Sequence, residues 1–230
     1  MGAFGIHYLF TFHDGTHALF DLHFDEQSFE RLDRPSSPLP EWTALDFHKC
    51  PHCPLDSARR ARCPLAADLA GVVDPFDGWM SYDKVYLEVQ TDARIVSQYT
   101  TVQEGLSSLL GVLAASSGCP RTMWLRPMAR FHLPLADDEE TVFRTTAGYL
   151  LARHFAGDAS AADDLSGLRA LHAELQILNQ ALAKRLRAAT ESDALVNALI
   201  RLDNNTRAAV FDKRLREFGR LFTTLPEAAL

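Results

Sequence analysis

The sequence predicts an α+β fold, a small and mostly antiparallel sheet of four or five strands packed with helices and followed by a carboxy-terminal helical hairpin. Three observations carry this expectation. Apolar residues alternate through two early and two central segments, capped leucine-rich segments separate and follow them, and beyond residue 165 leucines and phenylalanines recur at intervals of three and four.

The first alternation runs through Ile6, Tyr8, Phe10 and Phe12 and resumes after Asp14-Gly15-Thr16 with Ala18, Phe20, Leu22 and Phe24. Asp-Gly is a hairpin signal. Both apolar rows share a face only if opposed residue numbers sum to an even value, and a three-residue loop opposing His13 to His17 and His7 to His23 meets that condition. Four histidines then lie on the outer face, where they read as solvated strand positions.

Residues 33 to 42, rich in proline and serine, read as a linker, and a short strand is expected at about Ala44 to His48. Pro64 suits the first position of a helix that carries Leu65, Leu69, Val72 and Val73 inward and stops before Pro75. Lys84 to Val89 and Arg94 to Tyr99 form the second strand pair. Thr101-Val-Gln-Glu104 reads as a capping box for a helix through Leu113 that ends at Gly118. Asp137 can cap a further helix with acidic residues in its first turn, ended by Gly157.

Leu168, Leu171, Leu175, Leu178 and Leu182 define the first arm of the terminal hairpin, and Phe211, Leu215, Phe218 and Phe222 the second. This divides the chain into a metal-binding α+β domain, 1–157, and a hairpin, 158–230, packed on that domain or on the partner in a homodimer. Asn197, Asp203 and Asn204 fall in the last helical segment, where hydrogen bonds inside the hairpin are their simplest use.

A chain of 230 residues that is 47% hydrophobic can bury a core without disulfides, which excludes disordered and fibrous classes. No apolar run reaches the roughly 18 residues of a membrane span, and the start lacks the pattern of a secretory signal. A cytoplasmic location is expected. The net charge of -7 disfavours nucleic-acid binding, although residues 165 to 230 carry a net +3 against -10 for the rest.

The chemistry concentrates in four cysteines. Each is followed by proline, at Cys50-Pro51, Cys53-Pro54, Cys63-Pro64 and Cys119-Pro120. At ordinary proline usage of about 5%, four such coincidences have a chance of a few in a million, so the steps share a purpose. A Cys-x2-Cys pair joined by two further cysteines in a cytoplasmic chain points to metal ligation before disulfide pairing. Four thiolates suit a [4Fe–4S] cluster or one Zn²⁺. Proline beside the ligand resembles the end of the bacterial ferredoxin run and removes a donor that zinc knuckles use, which favours the cluster. His48 and His52 flank the first pair and could replace a ligand. Arg126, Arg130, His132 and His52 are the candidates for the surrounding layer that offsets an anionic centre.

The stretches Cys50-Pro-His-Cys-Pro-Leu, Cys63-Pro and Ser117-Gly-Cys-Pro, with Leu125-Arg-Pro-Met-Ala-Arg-Phe-His-Leu-Pro134, resemble a family of uncharacterised bacterial proteins. The resemblance implies that the cysteines are a shared motif and brings no activity with it.

Phosphate-binding loops, nucleophile elbows and zinc-protease helices are missing from the sequence, and all-cysteine ligation leaves no open position for substrate. The expectation leans away from an enzyme. It is a metal-centre protein for electron transfer or redox sensing, working with a redox partner protein, or alternatively a zinc-stapled interaction module.

Overall fold

The computed structural model describes residues 2–34, 38–158, 164–204 and 207–222. Four strands form one antiparallel sheet in the order β2-β1-β3-β4, with β1 (Ala3–Phe12), β2 (His17–Asp25), β3 (Lys84–Thr91) and β4 (Ile95–Thr101). Seven α-helices accompany it among the described residues: α1 (Pro64–Val73), α2 (Val102–Ser116), α3 (Arg126–Arg130), α4 (Asp138–Phe155), α5 (Ser166–Ala189), α6 (Ala194–Asn204) and α7 (Ala208–Phe222). The fold is α+β, as the periodicities indicate. No helix among the described residues is long and apolar enough to cross a membrane.

The alternating residues of β1 turn Ile6, Tyr8, Phe10 and Phe12 into the core beside Leu22 and Phe24 of β2 and Val85, Leu87 and Val89 of β3. Helices α1 and α2 cover that face. Gly105 lets α2 approach closely, since a Cβ there would stand 2.6 Å from a ring carbon of Phe10. Phe76 closes the layer edge-on to Phe10 with ring centroids 5.0 Å apart.

The hairpin register differs from the sequence expectation by two residues, because His7 opposes Asp21 and Thr11 opposes His17. The loop does have three residues, but they are 13–15: Phe12 N–H donates to the Thr16 carbonyl, and Gly15 takes φ +83°. A three-residue hairpin needs its left-handed residue last, and Gly15 meets that need without strain. Parity survives the shift, so the apolar rows still share a face.

No strand forms at 44 to 48. Ala44 makes a single bridge to Arg62 after a 3-10 turn at Glu41–Thr43, and the chain then coils. The reason lies far away in sequence. The buried Arg185 of α5 donates to the carbonyls of Trp42 and Ala44, both at 2.7 Å, and of Leu45 at 2.9 Å, which bends this segment around one guanidinium.

Helix starts follow their caps. Asp137 and Glu140 form a complete capping box on α4, and Pro64 occupies the first turn of α1. At α2 only half the box forms: Thr101 accepts from the Glu104 N–H, while the Glu104 carboxylate takes the Thr100 hydroxyl at 2.5 Å and pairs with Arg201.

The carboxy-terminal segment has three helices where a two-helix hairpin was expected. The additional one, α6, packs on α2 and α5, whereas α7 packs on α4. Leu178, Leu182, Leu186, Leu195 and Leu199 belong to the same buried cluster as the sheet. Asp193 anchors the start of α6 by accepting from the Ser81 N–H and hydroxyl and from Asn197. Asp203 accepts from Asn179 of α5. Residues 35–37 of the expected linker lie outside the described residues, as do 159–163 and 223–230.

Candidate metal centre

Three of the four Cys-Pro steps have a conformational explanation. The Cys50 carbonyl accepts the Cys53 N–H at 3.0 Å, closing a turn with Pro51 in its second position. The Cys119 carbonyl accepts the Thr122 N–H at 3.0 Å, with Pro120 placed likewise. Cys63 caps α1, its carbonyl accepting the Ala67 N–H at 2.9 Å and Pro64 beginning the helix. In each the cysteine carbonyl opens a turn whose next φ is fixed by proline, so the sulfur leaves a stiff backbone. Cys53 opens no such turn and leads into a stretch without regular secondary structure.

Distant elements bring these turns together. Gly118, at φ +76°, ends α2 and sends Cys119 into the core, where it is buried. Arg121, two residues on, donates from Nε and Nη2 to the His52 carbonyl at 3.0 and 2.6 Å. Cys63 N–H donates to the Thr43 carbonyl at 2.9 Å, joining the same coil that Arg185 organises. Cys50 and Cys63 pack against the main core, of which Cys119 is a member. All four cysteines are unpaired by disulfides.

Burial pushes the Cys50 thiol up to about 11, and the neighbouring charges of Cys63, Cys119 and Cys53 push in the same direction while Arg185 opposes them. Burial likewise raises Cys119, against the Arg121 backbone N–H and the Thr122 hydroxyl that reach it. These effects require four sulfurs in one neighbourhood. They also keep Cys50 protonated at neutral pH, so a metal ion binding there must displace its proton. Among the described residues no three His, Cys, Asp or Glu side chains are already drawn together as a group for one metal ion.

The residues expected around the centre divide. His52 is there: its carbonyl holds Arg121, and both ring nitrogens are buried without a hydrogen-bond partner. Arg126 instead pairs with Glu30 at 2.7 Å, and Arg130 lies over the Phe4 ring at 4.7 Å. His132 binds the Tyr8 hydroxyl at 2.5 Å. These three engage the strand side of the fold, whereas Arg121 and Arg185 hold carbonyls at and just before the cysteine-bearing coil, and Lys49 donates to the Leu55 carbonyl within it. The dipeptide Arg121-Thr122 after Cys119 offered a local signal for the first, while Arg185 stands 135 positions beyond Cys50 and offered none.

Sequence reasoning also missed a second buried polar cluster. Tyr8 hydroxyl lies 3.1 Å from the Ser108 hydroxyl as well as against His132, and Ser108 accepts the Leu135 N–H at 3.2 Å. Burial drives the tyrosine pKa up and, with help from Arg144, holds His132 down at about 3. Tyr8 reads locally as one more apolar strand residue. Only its hydroxyl signals that a partner must exist inside the core.

The architecture and the cysteine loops define a small α+β protein with a thiol-rich junction. The chain belongs to the family that shares a domain of unknown function, DUF6901, which matches residues 6–223. Comparison with curated proteins and with solved structures gave no match.

Proposed function

We propose that this chain holds one [4Fe–4S] cluster on Cys50, Cys53, Cys63 and Cys119 and serves in electron transfer or redox sensing. The observation that carries this reading is the tie between the cysteine turns: Arg121, two residues after Cys119, holds the His52 carbonyl inside the Cys50–Cys53 turn, and Cys50 and Cys63 pack against the core that contains Cys119. Soft thiolate donors in that number suit a cluster, and Arg121 and Arg185 offset the negative charge it would bring.

A single Zn²⁺ draws four sulfurs to about 2.3 Å of one ion, whereas a cubane binds each sulfur to a different iron and holds them further apart. The choice between them rests on the proline after each cysteine, which removes the backbone donor that zinc knuckles use. A structural zinc site is the second reading, favoured by the coil itself: residues 46–63 contain no helix or strand and gain from a staple.

Anaerobic purification with iron, sulfide and zinc analysis and an absorption spectrum separates the two. Four irons and four sulfides per chain, with brown colour lost in air, are expected. One zinc with neither iron nor sulfide supports the staple, and a metal-free protein overturns both.

A further inference from the structure

The last two turns of α4 stand clear of the body. Every residue from Leu151 to Gly157 is exposed, yet local chemistry specifies the helix to its end. Gly157, at φ +75°, donates to the His154 carbonyl, and the Asp158 N–H donates to the Arg153 carbonyl, the two bonds of a Schellman motif. Most helical stability in proteins comes from packing an apolar face, and this end buries none against the described residues. An apolar stripe runs along the outward side of the same helix. Phe143, Ala147, Leu151 and Phe155 recur every four residues and share one face. The three large ones are 48, 56 and 79% exposed, and among the described residues no other helix exposes more than one large apolar side chain.

The charges on α4 make this face its own complement. Asp138, Glu139 and Glu140 fill the first turn, and Arg153 and His154 stand in the last. Two such helices laid antiparallel across a two-fold axis set each acidic end against a basic one, whereas a parallel pair sets like against like. Small residues mark the middle of the helix: Ala147 is exposed, and a Cβ built on Gly148 would meet nothing within 4 Å, so two backbones can approach closely there. The stripes of the carboxy-terminal helices leave no such surplus, since Leu175, Leu178 and Leu182 of α5 and Phe211 and Phe218 of α7 are buried within the chain.

We propose that this face of α4 is the interface of a homodimer, in which the α4 helices of two copies cross antiparallel at Ala147 and each projecting end lies on the outward face of the other helix's first half. In that register Phe143 packs on the partner's Leu151, and the acidic first turn lies beside the partner's His154. With about 150–250 Å² for a whole aromatic side chain, the exposed parts of the three large side chains offer roughly 700 Å² over both copies before any flanking contact, which places the dimer among small, exchanging interfaces. Affinity in the micromolar range follows, and metal at the cysteines is not required for it.

Sedimentation equilibrium of the full chain from micromolar to millimolar concentration, with a reductant to prevent disulfide-linked copies, reads the association. A reversible dimer is expected, and amide exchange over residues 147–156 should slow as concentration rises. Leu151→Glu places a charge in the apolar contact and should weaken association at least about tenfold. His154→Glu should weaken it as well, and adding Glu139→Lys to that variant should recover most of the loss, because in an antiparallel pair each new acid then lies beside a new base. All three positions are exposed or half-exposed, and if a variant does not fold the exchange measurement on the wild type decides alone. A monomer throughout the range, a dimer untouched by Leu151→Glu, no recovery in the double variant, or exchange over 147–156 that ignores concentration each overturns the proposal and leaves the face to a different partner.

Discussion

Arg121 clamps a carbonyl 69 residues earlier in the chain, donating twice to His52 while its Nη1 pairs with Glu174 at 2.9 Å. One side chain thereby ties together the loop after α2, the Cys50–Cys53 turn and α5. Arg121→Ala should cost about 2 kcal/mol, the range for hydrogen bonds from a charged donor, read as a lower urea midpoint with unchanged slope. Arg121→Lys, which lacks the fork, should recover less than half of it. A wild-type midpoint in Arg121→Ala would show that the clamp holds nothing.

Arg185 makes the deeper contact, since it is 2% exposed and serves three carbonyls. Arg185→Met keeps the length and apolar stem but leaves those carbonyls short of donors. The variant should lose at least about 3 kcal/mol and free the 42–45 segment for amide exchange. Protection at 42–45 equal to wild type contradicts this.

These two arginines also show where local pattern stops being informative. The strands, the α1 and α4 starts and the inward rows of β1 and β3 follow from alternation and caps, which act within a few residues. The false strand at 44–48 had plausible local alternation, and Arg185 overrode it from 140 positions away. The hairpin shift was legible in principle, because Gly15 had to end the loop. Helix α6 was hidden inside a longer helical pattern, its start fixed by Asp193 reaching Ser81 across 112 positions. Among site residues the cysteines announced themselves by their prolines, whereas the partners of Arg126, Arg130 and His132 depended on which side of α3 faced the strands.

The Tyr8 cluster predicts an acid-side loss of stability. His132 is held at about 3 when folded and returns to about 6.5 when unfolded, so the unfolded chain binds its proton first as pH falls. Its contribution is complete above pH 6.5 and is lost progressively toward pH 3. Tyr8→Phe should cost about 1–3 kcal/mol at pH 7 by removing the hydroxyl that His132 and Ser108 share. Denaturant titrations from pH 7 to 4 that show no greater acid loss in wild type than in His132→Gln contradict the assignment.

Asp68 of α1 works in the opposite direction. It is 2% exposed with Oδ2 unpartnered, and burial raises its pKa to about 6, opposed by Arg31 and Arg34. The folded state therefore holds this proton more tightly than the unfolded chain, and stability falls as pH rises from about 4 to 6. Asp68→Asn removes the buried charge and should stabilise the protein at pH 7 by about 2 kcal/mol, with little gain at pH 4. A destabilised variant at pH 7 would falsify this reading of the carboxylate.

A centre that joins both halves of the junction depends most on Cys119, because Cys50, Cys53 and Cys63 sit close together in sequence and a local loop could complete its ligand set with His52. If the centre joins the coil to the end of α2, metal binding energy is part of folding energy. The direct measurement is metal per chain in anaerobically purified Cys119→Ser, read beside its melting temperature and beside His52→Ala. Cys119→Ser should lose the metal and melt well below wild type, while His52→Ala keeps most of both. A Cys119→Ser protein with full metal content and an unchanged melting temperature would contradict a centre built from both halves of the junction.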